Sequence, residues 1–256
     1  MNFDRDAVAP RLSGTPLVLL LDVDGTLAPI APQPADASVP PSTHDALHTL
    51  ARTNGVIVGL VSGRSAEEVR RLVPISPTWI IGNHGAEVVS PDGRETVEPR
   101  VSAYEAVVAA ARAELEASGV AVENKRWTLT VHYRNADPEI VPALREKVSR
   151  VAITHGLATL GGKKILELRP PVAVNKGTAV LALGERVGAF EHTASVMYAG
   201  DDSTDEDAFL ALRSRAPRAV TIHVAGEGSP DTFAEYIVSD PREMGSVLAW
   251  LVELRR

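Results

Sequence analysis

Short runs of apolar residues recur along this chain, and each of them ends in a compact polar motif. Leu17–Leu21 leads into DVDGT, Val56–Val61 into SGR, Trp79–Ile81 into GNHG and Val196–Ala199 into GDDSTDE. Continuous apolar runs of this length are typical of strands that are buried on both faces of a parallel sheet. Because ligands bind at the carboxyl ends of such strands, the four motifs predict a single site at one edge of the sheet.

Helix start signals separate these predicted strands. Ser65 and Glu68 have the spacing of a capping box, in which each side chain bonds the backbone N–H of the other residue. Asp240, Pro241 and Glu243 form a similar start for the last helix. The alternation of strands and helices predicts a doubly wound α/β core built on a parallel sheet.

The middle third of the chain interrupts this alternation with a helix–strand–strand order that occurs twice. That order predicts a small sheet covered by helices on one face, inserted into the first domain. We therefore expect a core domain at 1–100 and 172–256 and an inserted α/β cap domain at 101–171. The predicted elements of the insert are helices Ser102–Ala117 and Pro138–Ile153, strands Val120–Lys125 and Thr128–Arg134, and two short strands that run to Arg169.

Side-chain alternation predicts what these inserted strands present on each face, because successive residues of a strand point to opposite sides. One face is apolar and suits packing on the helices, and the other is open and polar. Such a polar face is most often a solvated surface; its place in an insertion beside the predicted site favours a lid instead. The charged residues of the open face are Glu123, Lys125, His132, Arg134, Lys163, Glu167 and Arg169.

Composition limits the classes of protein that this chain can represent. Its 256 residues can bury a substantial core, and 45% hydrophobic content is that of a globular protein. A net charge of −7 argues against a nucleic-acid binder, and the lack of cysteine excludes thiolate metal sites. Since no apolar run approaches the ~20 residues of a membrane span and the first residues do not resemble a signal peptide, we expect a cytoplasmic protein. We also expect it to be a monomer.

Two aspartates lie at the end of the first predicted strand. Asp22 and Asp24 flank one valine, so both can address the same site. A turn would also use Asp and Gly, but a carboxylate at a buried strand end is costly unless something compensates it. A calcium-binding EF-hand loop is excluded, because Leu27 stands where its invariant glycine belongs and Gln33 where its bidentate glutamate belongs.

A second acidic pair follows the Val196–Ala199 run. Helix capping can explain Ser203, Asp205 and Glu206 at the start of the next helix, but it does not explain the adjacent Asp201 and Asp202 at the strand end. Magnesium prefers a few carboxylates and retains several waters. Asp22 and Asp201, together with the backbone carbonyl of Asp24, would form such a ligand set.

Candidate phosphate-binding groups follow the second predicted strand and open a later helix. Ser62, Gly63 and Arg64 lie between a strand and a capped helix, where backbone N–H groups and the serine hydroxyl can hold phosphate oxygens. Lys176 begins another helical pattern. Alone, this lysine would be assigned to the solvated surface.

These motifs together resemble those of the haloacid dehalogenase superfamily of phosphotransferases. DVDGT is similar to its first motif, SGR to the second, Lys176 to the third and GDDSTDE to the fourth. Within that group the chain resembles the trehalose-6-phosphate phosphatases. The matching segments are LLLDVDGTLAPI, VSGR, IGNHGAE, ENK, HYR, ELRPP with the following NKG, and GDDSTDE.

The resemblance implies a magnesium-dependent phosphatase that converts trehalose 6-phosphate to trehalose and inorganic phosphate, the last step of trehalose biosynthesis. Asp22 would attack phosphorus and form an aspartyl-phosphate, and Asp24 would serve as general acid and then general base. Asp22, Asp24 and Asp201 would hold Mg²⁺, and Asp202 would orient the metal or Lys176.

The resemblance also implies a set of binding residues. Ser62, Gly63 and Lys176 would hold phosphate. The core side of the sugar site would be lined by Asn83, His84 and Gly85, and the cap would bind sugar hydroxyls through Glu123, Lys125, Arg134 and Glu167.

Two alternatives stay open. Sucrose-phosphate and mannosyl-phosphoglycerate phosphatases share the same layout, so the sugar can differ while the chemistry stays the same. A non-enzymatic phospho-acceptor module, similar to a response-regulator receiver, also combines an acidic pair, an acceptor aspartate, a hydroxyl and a lysine. Asp24 argues against that module, because an acid/base beside the nucleophile promotes hydrolysis.

Overall fold

A computed structural model describes residues 1–134, 136–162, 164–226 and 231–256 of the chain. Its strands are β1 Leu17–Asp22, β2 Val56–Val61, β3 Trp79–Gly82, β4 Glu87–Val89, β5 Glu95–Val97, β6 Glu123–Asn124, β7 Leu129–His132, β8 Ala158–Gly162, β9 Ile165–Arg169, β10 Ser195–Gly200, β11 Val220–Val224 and β12 Tyr236–Val238. Its α-helices are α1 Arg5–Leu12, α2 Pro41–Arg52, α3 Ala66–Leu72, α4 Pro99–Ser102, α5 Glu105–Ala117, α6 Val141–Thr154, α7 Lys176–Arg186, α8 Asp205–Arg215 and α9 Pro241–Leu254.

The larger sheet has the strand order β12-β11-β10-β1-β2-β3-β4-β5. Strands β12 to β3 pair in parallel, and β4 runs antiparallel to β3. The chain proceeds from β1 outward through β2 and β3, and later from β10 outward on the other side of β1. The order therefore reverses between β1 and β10, and their carboxyl ends form the switch point where such folds bind ligands.

Helices cover both faces of this sheet, as the predicted doubly wound α/β class requires. On one face, α1, α2, α3 and α9 pack around Leu17, Leu19 and Leu21 of β1. On the other face, α7 and α8 pack around Val18 and Leu20. The leucine and valine side chains of β1 are fully buried, which explains why its sequence is a continuous apolar run.

The predicted strands and start signals of this sheet are confirmed. β2 spans the predicted Val56–Val61, and β1, β3 and β10 each extend the predicted run by one or two residues. Ser65 and Glu68 form the reciprocal capping box at the start of α3. The Asp240 side chain accepts the backbone N–H of Glu243 at the start of α9.

The chain divides into two compact units, a core unit of Met1–Thr96 with Val174–Arg256 and an inserted unit of Val97–Ala173. The inserted unit carries an antiparallel sheet with the order β6-β7-β9-β8. Leu129, Val131, Leu166 and Leu168 lie in one apolar cluster with residues of α5 and α6. Among the described residues, no helix is both long and apolar enough to cross a bilayer.

Cross-strand pairing supports the predicted alternation in the inserted sheet. Thr130 of β7 lies opposite Glu123 of β6 and Glu167 of β9, so these three side chains share one face. His132 belongs to the same face, and its Nε2 lies 2.6 Å from Glu123 Oε2. Lys163, which was also assigned to this face, lies outside the described residues.

Three predicted boundaries in the insert are wrong. The helix predicted over Ser102–Ala117 is α5, which ends at Ala117 as predicted but starts only at Glu105, because turn bonds at Ala103 and Tyr104 separate it from α4. The strand predicted over Val120–Lys125 is only β6, since Val120 bonds back to the end of α5. The helix predicted from Pro138 starts at Val141, because a turn with Asp137 precedes it.

Candidate active site

Asp22 is the last residue of β1 and is 4% exposed. The chain then folds into a tight turn in which Gly25 donates its N–H to Ala28 O at 2.7 Å. Gly25 has φ of +87°, and a Cβ there would lie 2.2 Å from Asp201 Oδ2. Only glycine combines this left-handed conformation with so close an approach, so the turn brings Asp201 of the neighbouring strand end beside the DVDGT segment.

Lys176 is buried among carboxylates at the start of α7. Its Nζ donates to Asp22 Oδ1 at 2.7 Å and to Asp205 Oδ1 at 2.8 Å, and lies 3.9 Å from Asp202 Oδ1. Burial lowers the pKa of Lys176, but Asp205 and Asp22 outweigh that effect and hold the pKa well above its usual value. The lysine therefore keeps its positive charge against the candidate nucleophile.

Asp205 is the first residue of α8, as the predicted helix start requires, but among the described residues its side chain bonds no backbone N–H of that helix, so capping does not explain it. It is fully buried. Its Oδ1 accepts hydrogen bonds from Lys176 and from the Tyr198 hydroxyl, the latter at 2.6 Å. Its Oδ2 accepts the backbone N–H groups of Asp201 and Asp202, both at 3.1 Å. Asp205 thus fixes both the lysine and the backbone of the acidic pair, a role that sequence reasoning missed.

Asp202, rather than Asp205, accepts hydrogen bonds from the residue just before α8. Its Oδ1 accepts the Thr204 N–H at 2.8 Å and the Thr204 hydroxyl at 2.7 Å, ahead of α8. Burial works against ionisation, but Lys176 and the bonds from Thr204 lower the pKa of Asp202. Asp202 is therefore an ionised neighbour of Lys176, with which it forms an ion pair at 3.9 Å.

The carboxylates at this edge suit a divalent cation. Asp22, Asp201 and Asp205 each offer an oxygen, and these atoms lie within 4.8 Å of one another. The buried Oδ2 of Asp22 accepts no hydrogen bond from the residues that the structure describes. Since both oxygens of Asp205 already accept two hydrogen bonds each, Asp22 and Asp201 are the better ligands.

A cation would also resolve the electrostatics of Asp22. Burial raises the pKa of the Asp22 carboxyl well above its usual value, and Lys176 opposes that shift while Asp205 and Asp201 add to it. A positive ion beside Asp22 favours its charged form. The donors are all oxygens, which hard cations such as Mg²⁺ prefer.

The segment after β2 presents a hydroxyl group. Ser62 is 1% exposed, and its Oγ accepts the Arg64 backbone N–H at 3.1 Å. Among the described residues the Ser62 hydroxyl donates to no acceptor, so its hydrogen is available for an incoming oxygen. A Cβ on Gly63 would lie 2.5 Å from the His84 ring, which places Gly63 directly beside His84.

Asn83, His84 and Gly85 form a short turn after β3. All three have positive φ, at 49°, 54° and 106°. His84 N–H bonds Ser62 O at 3.0 Å, and the Asn83 side-chain amide donates to buried Glu87 Oε1 at 2.9 Å. The turn is therefore held against the Ser62 segment and brings its three residues to the same edge as Asp22.

Among the residues that the structure describes, one side chain donates hydrogen bonds to Asp24. Arg64 donates through Nε and Nη2 to the two carboxylate oxygens of Asp24, both at 2.6 Å. Sequence reasoning placed Arg64 in the SGR motif but gave it no role of its own.

Four of the predicted sugar-binding residues, Glu123, Lys125, Arg134 and Glu167, belong to the inserted unit. Glu123 and Glu167 lie on the polar face of its sheet, on either side of Thr130. The prediction that this face is open is wrong at Thr130 and Glu167, which are both buried. Lys125 follows β6, and its N–H bonds Thr128 O at 3.0 Å in the turn towards β7. Arg134 lies two residues beyond β7.

Comparison with known proteins gives one consistent family. Residues 20–241 match the family model described as trehalose-phosphatase. An uncharacterized glycosyl hydrolase of Mycobacterium tuberculosis is 38% identical over 220 residues, which are 83% of this chain and 16% of that protein. Trehalose-phosphate phosphatase B of Arabidopsis thaliana is 33% identical over 267 residues, which are 98% of this chain and 70% of that protein.

A solved structure agrees with these relatives. The crystal structure of a trehalose-6-phosphate phosphatase related protein has a TM-score of 0.80 and 28% identity, with 93% of this chain and 97% of that chain covered. The matched family model extends from β1 into α9 and so includes every strand end that contributes to the acidic site. The chain belongs to the trehalose-phosphatase family.

Proposed function

We propose that this protein hydrolyses trehalose 6-phosphate to trehalose and inorganic phosphate, as the last step of trehalose biosynthesis. The observation that carries the proposal is the environment of Asp22, a buried carboxylate with one oxygen bound to Lys176 and the other accepting no bond from the described residues. Family membership supports the substrate, since the Arabidopsis relative is a trehalose-phosphate phosphatase.

In the first step, an oxygen of Asp22 attacks phosphorus and the bond between phosphorus and the sugar oxygen breaks. The electron pair of that bond leaves on the sugar oxygen, which takes a proton from Asp24. The products of this step are trehalose and an aspartyl-phosphate at Asp22.

In the second step, water attacks the phosphorus of the aspartyl-phosphate while Asp24 takes a proton from it. The bond between phosphorus and the Asp22 oxygen breaks, so phosphate leaves and the carboxylate is restored. Lys176 stays charged in both steps and stabilises the negative charge that gathers on the phosphoryl oxygens.

We assign Mg²⁺ as the cofactor, held by Asp22, Asp201 and the backbone carbonyl of Asp24. When bound, the ion neutralises charge on the transferring phosphoryl group and lowers the pKa of the nucleophile. Asp202 acts on Lys176 through their ion pair rather than on the substrate.

Ser62, Gly63 and Lys176 are proposed to hold the phosphate, and the Asn83–Gly85 turn to line the core side of the sugar site. The proposal for Ser62 rests on its hydroxyl, whose hydrogen has no acceptor among the described residues. The cytoplasmic location and monomeric state expected from the sequence stay predictions.

The test of the function is phosphate release from trehalose 6-phosphate, sucrose 6-phosphate, mannosyl-phosphoglycerate and glucose 6-phosphate, with Mg²⁺ and with excess chelator. We expect trehalose 6-phosphate to be the best substrate, and its hydrolysis to require Mg²⁺. Preference for another sugar phosphate would refute the substrate. A long-lived aspartyl-phosphate without turnover would refute the hydrolytic function.

For the inserted unit, we propose that Glu123, Lys125, Arg134 and Glu167 bind the sugar hydroxyls. Glu123 and Glu167 share the polar face of the sheet, and the short motifs around all four residues support the proposal. Glu167→Gln should lower kcat/KM for trehalose 6-phosphate by about ten- to a hundredfold, the value of one charge-assisted hydrogen bond, and change cleavage of a small aryl phosphate much less.

A matched control for that substitution is Glu146→Gln on α6. Its side chain is 72% exposed and pairs only with Arg150 on the same helix, among the described residues. We expect this variant to retain wild-type kcat/KM for both substrates. Equal losses for both substrates in Glu167→Gln would instead indicate a structural role for Glu167.

A further inference from the structure

The Arg64 side chain forms a two-point clamp on the Asp24 carboxylate. Both Asp24 oxygens accept hydrogen bonds from one guanidinium group, at 2.6 Å each. We propose that Arg64 is the positioning residue that orients Asp24 for proton transfer at the reacting phosphate ester. The inference rests on the proposed function, since it assigns a means of alignment to the acid/base of that reaction.

Arg64 is the sole source of orientation for this carboxylate among the described residues. The Asp24 backbone is fixed by the turn after β1, where Gly25 and Leu27 bond within the segment. The side chain is about a third exposed and accepts hydrogen bonds from Arg64 alone among the residues described. Without the clamp, the Asp24 side chain would exchange among staggered χ1 conformations, and the plane of its carboxylate would rotate.

Arg64 is itself anchored to the proposed phosphate-binding segment. Its backbone N–H donates to Ser62 Oγ at 3.1 Å, and its carbonyl accepts the Asn83 N–H at 2.8 Å. Its Nη2 also donates to Pro34 O at 2.9 Å, in the loop between β1 and α2. One residue therefore links the acid/base to the group that would hold the phosphate.

The geometry of the clamp explains why arginine suits this position. A planar guanidinium makes two parallel bonds to a carboxylate and so fixes the plane of both oxygens, whereas lysine makes a point contact. Proton transfer needs the donor oxygen within hydrogen-bond reach of the leaving oxygen, and a misplacement of 1 Å can cost about a hundredfold in rate.

Two other roles for Arg64 predict different results. If Arg64 binds the phosphate directly, its loss should slow every substrate alike and multiply with the loss of Asp24. If Arg64 only stabilises the fold, its loss should lower the unfolding midpoint without selecting among leaving groups. A positioning role predicts that the loss depends on how much protonation the leaving group requires.

The substrates are phenyl phosphate and 4-nitrophenyl phosphate. The experiment measures release of the phenol in a single turnover, with Mg²⁺ present and the enzyme in excess over the substrate. The two esters are similar in size, but 4-nitrophenol is much the more acidic and leaves with little need of a proton. Arg64→Ala and Arg64→Lys are compared with wild type, with Asp24→Ala and with the double variant Asp24→Ala/Arg64→Ala. Arg71→Ala is the control, since Arg71 is exposed on α3 and its ion pair with Glu67 is on the same helix.

We expect Arg64→Ala to slow phenyl phosphate cleavage at least tenfold and 4-nitrophenyl phosphate cleavage by less than about threefold, as expected when acid catalysis is impaired. Arg64→Lys should show the same selectivity between the two esters with a smaller loss of rate. If Arg64→Ala does not fold, the selectivity of Arg64→Lys tests the positioning role. In the Asp24→Ala background, removing Arg64 should change the rate little further. Arg71→Ala should match wild type.

The inference is overturned if both esters slow equally, or if the losses from Asp24 and Arg64 multiply. This outcome is separate from the sugar assignment, because the aryl esters carry no sugar. A wild type that cleaves both aryl esters and leaves trehalose 6-phosphate intact refutes the proposed substrate, while the ratio of the two ester rates still decides the role of Arg64.

Discussion

Replacing Asp205 by asparagine tests the electrostatic arrangement of the acidic site. Asp205 accepts four hydrogen bonds, two at each oxygen, from Lys176 and Tyr198 on one side and from two backbone N–H groups on the other. Asparagine keeps the shape but replaces one oxygen by an NH₂ group, which only donates. In the more favourable orientation of the asparagine, the amide oxygen accepts the backbone N–H groups of Asp201 and Asp202, and the NH₂ group then faces the ammonium of Lys176.

The expected loss of stability follows from that mismatch. Tyr198 can turn its hydroxyl to accept from the amide, but the buried ammonium has no acceptor site and loses one of its two close partners. A hydrogen bond to a charged group is worth roughly 1.5–3 kcal/mol, and an unmet buried donor adds to this loss. Weaker repulsion from the neighbouring aspartates offsets part of it, so we expect about 2–4 kcal/mol of net destabilisation.

The assay is urea unfolding of wild type and variant, with chelator and with Mg²⁺, accompanied by thermal unfolding. For a chain of this size, the expected loss corresponds to a fall in Tm of about 5–15 °C. Asp207→Asn is the matched control, because it makes the same substitution in the same helical turn at an exposed position. The two variants would unfold at the same midpoint if Asp205 were only a helix-start residue, and that result would refute the reasoning.

Three further predictions address the same fold. Asp22→Asn should stay folded but release no phosphate and form no aspartyl-phosphate, since an amide is a poor nucleophile. Phosphate release measures the first effect, and acid quenching followed by detection of substrate-derived phosphate on the enzyme measures the second. Tyr198→Phe removes the 2.6 Å bond to Asp205 and should lower the free energy of unfolding by about 1–2 kcal/mol in urea. Hydrogen bonds from Arg11 lower the pKa of Glu235 in the folded protein. The ionised Glu235 therefore stabilises the fold above the unfolded-state pKa, and this contribution is lost as the pH falls through the folded-state pKa. The unfolding midpoints of wild type and Glu235→Gln should converge in acid.

The features that could be predicted from the sequence are those that depend on local pattern. β1 is buried on both faces, so its run of leucine and valine shows both its existence and its end at Asp22. The capping box of Ser65 and Glu68 is a contact between residues three apart, which spacing alone reveals. The alternation in β7 and β9 separated the polar face from the apolar one because a strand has a strict period of two.

The features that could not be predicted depend on contacts between distant segments. An aspartate at a helix start has an ordinary local explanation, so nothing in the sequence shows that Asp205 is buried against Lys176, 29 positions away. The clamp between Arg64 and Asp24 joins residues 40 positions apart and depends on how β1 and β2 pair. The predicted ends of elements in the insert were wrong for a similar reason, since turn hydrogen bonds rather than composition end α4 and shorten β6.

The balance of donors and acceptors at the strand ends itself argues for phosphoryl transfer. Lys176 has three N–H donors, and two of them bond Asp22 and Asp205, which leaves one without an acceptor among the described residues. Among the described residues, Asp22 Oδ2 accepts no hydrogen bond, and the Ser62 hydroxyl accepts the Arg64 N–H but donates to no acceptor. One nucleophilic oxygen and two donors are what an electrophilic phosphorus with negative oxygens requires. Because the surrounding aspartates would repel a phosphate dianion, we expect the substrate to approach Asp22 only when a bound cation adds its charge to that of the lysine.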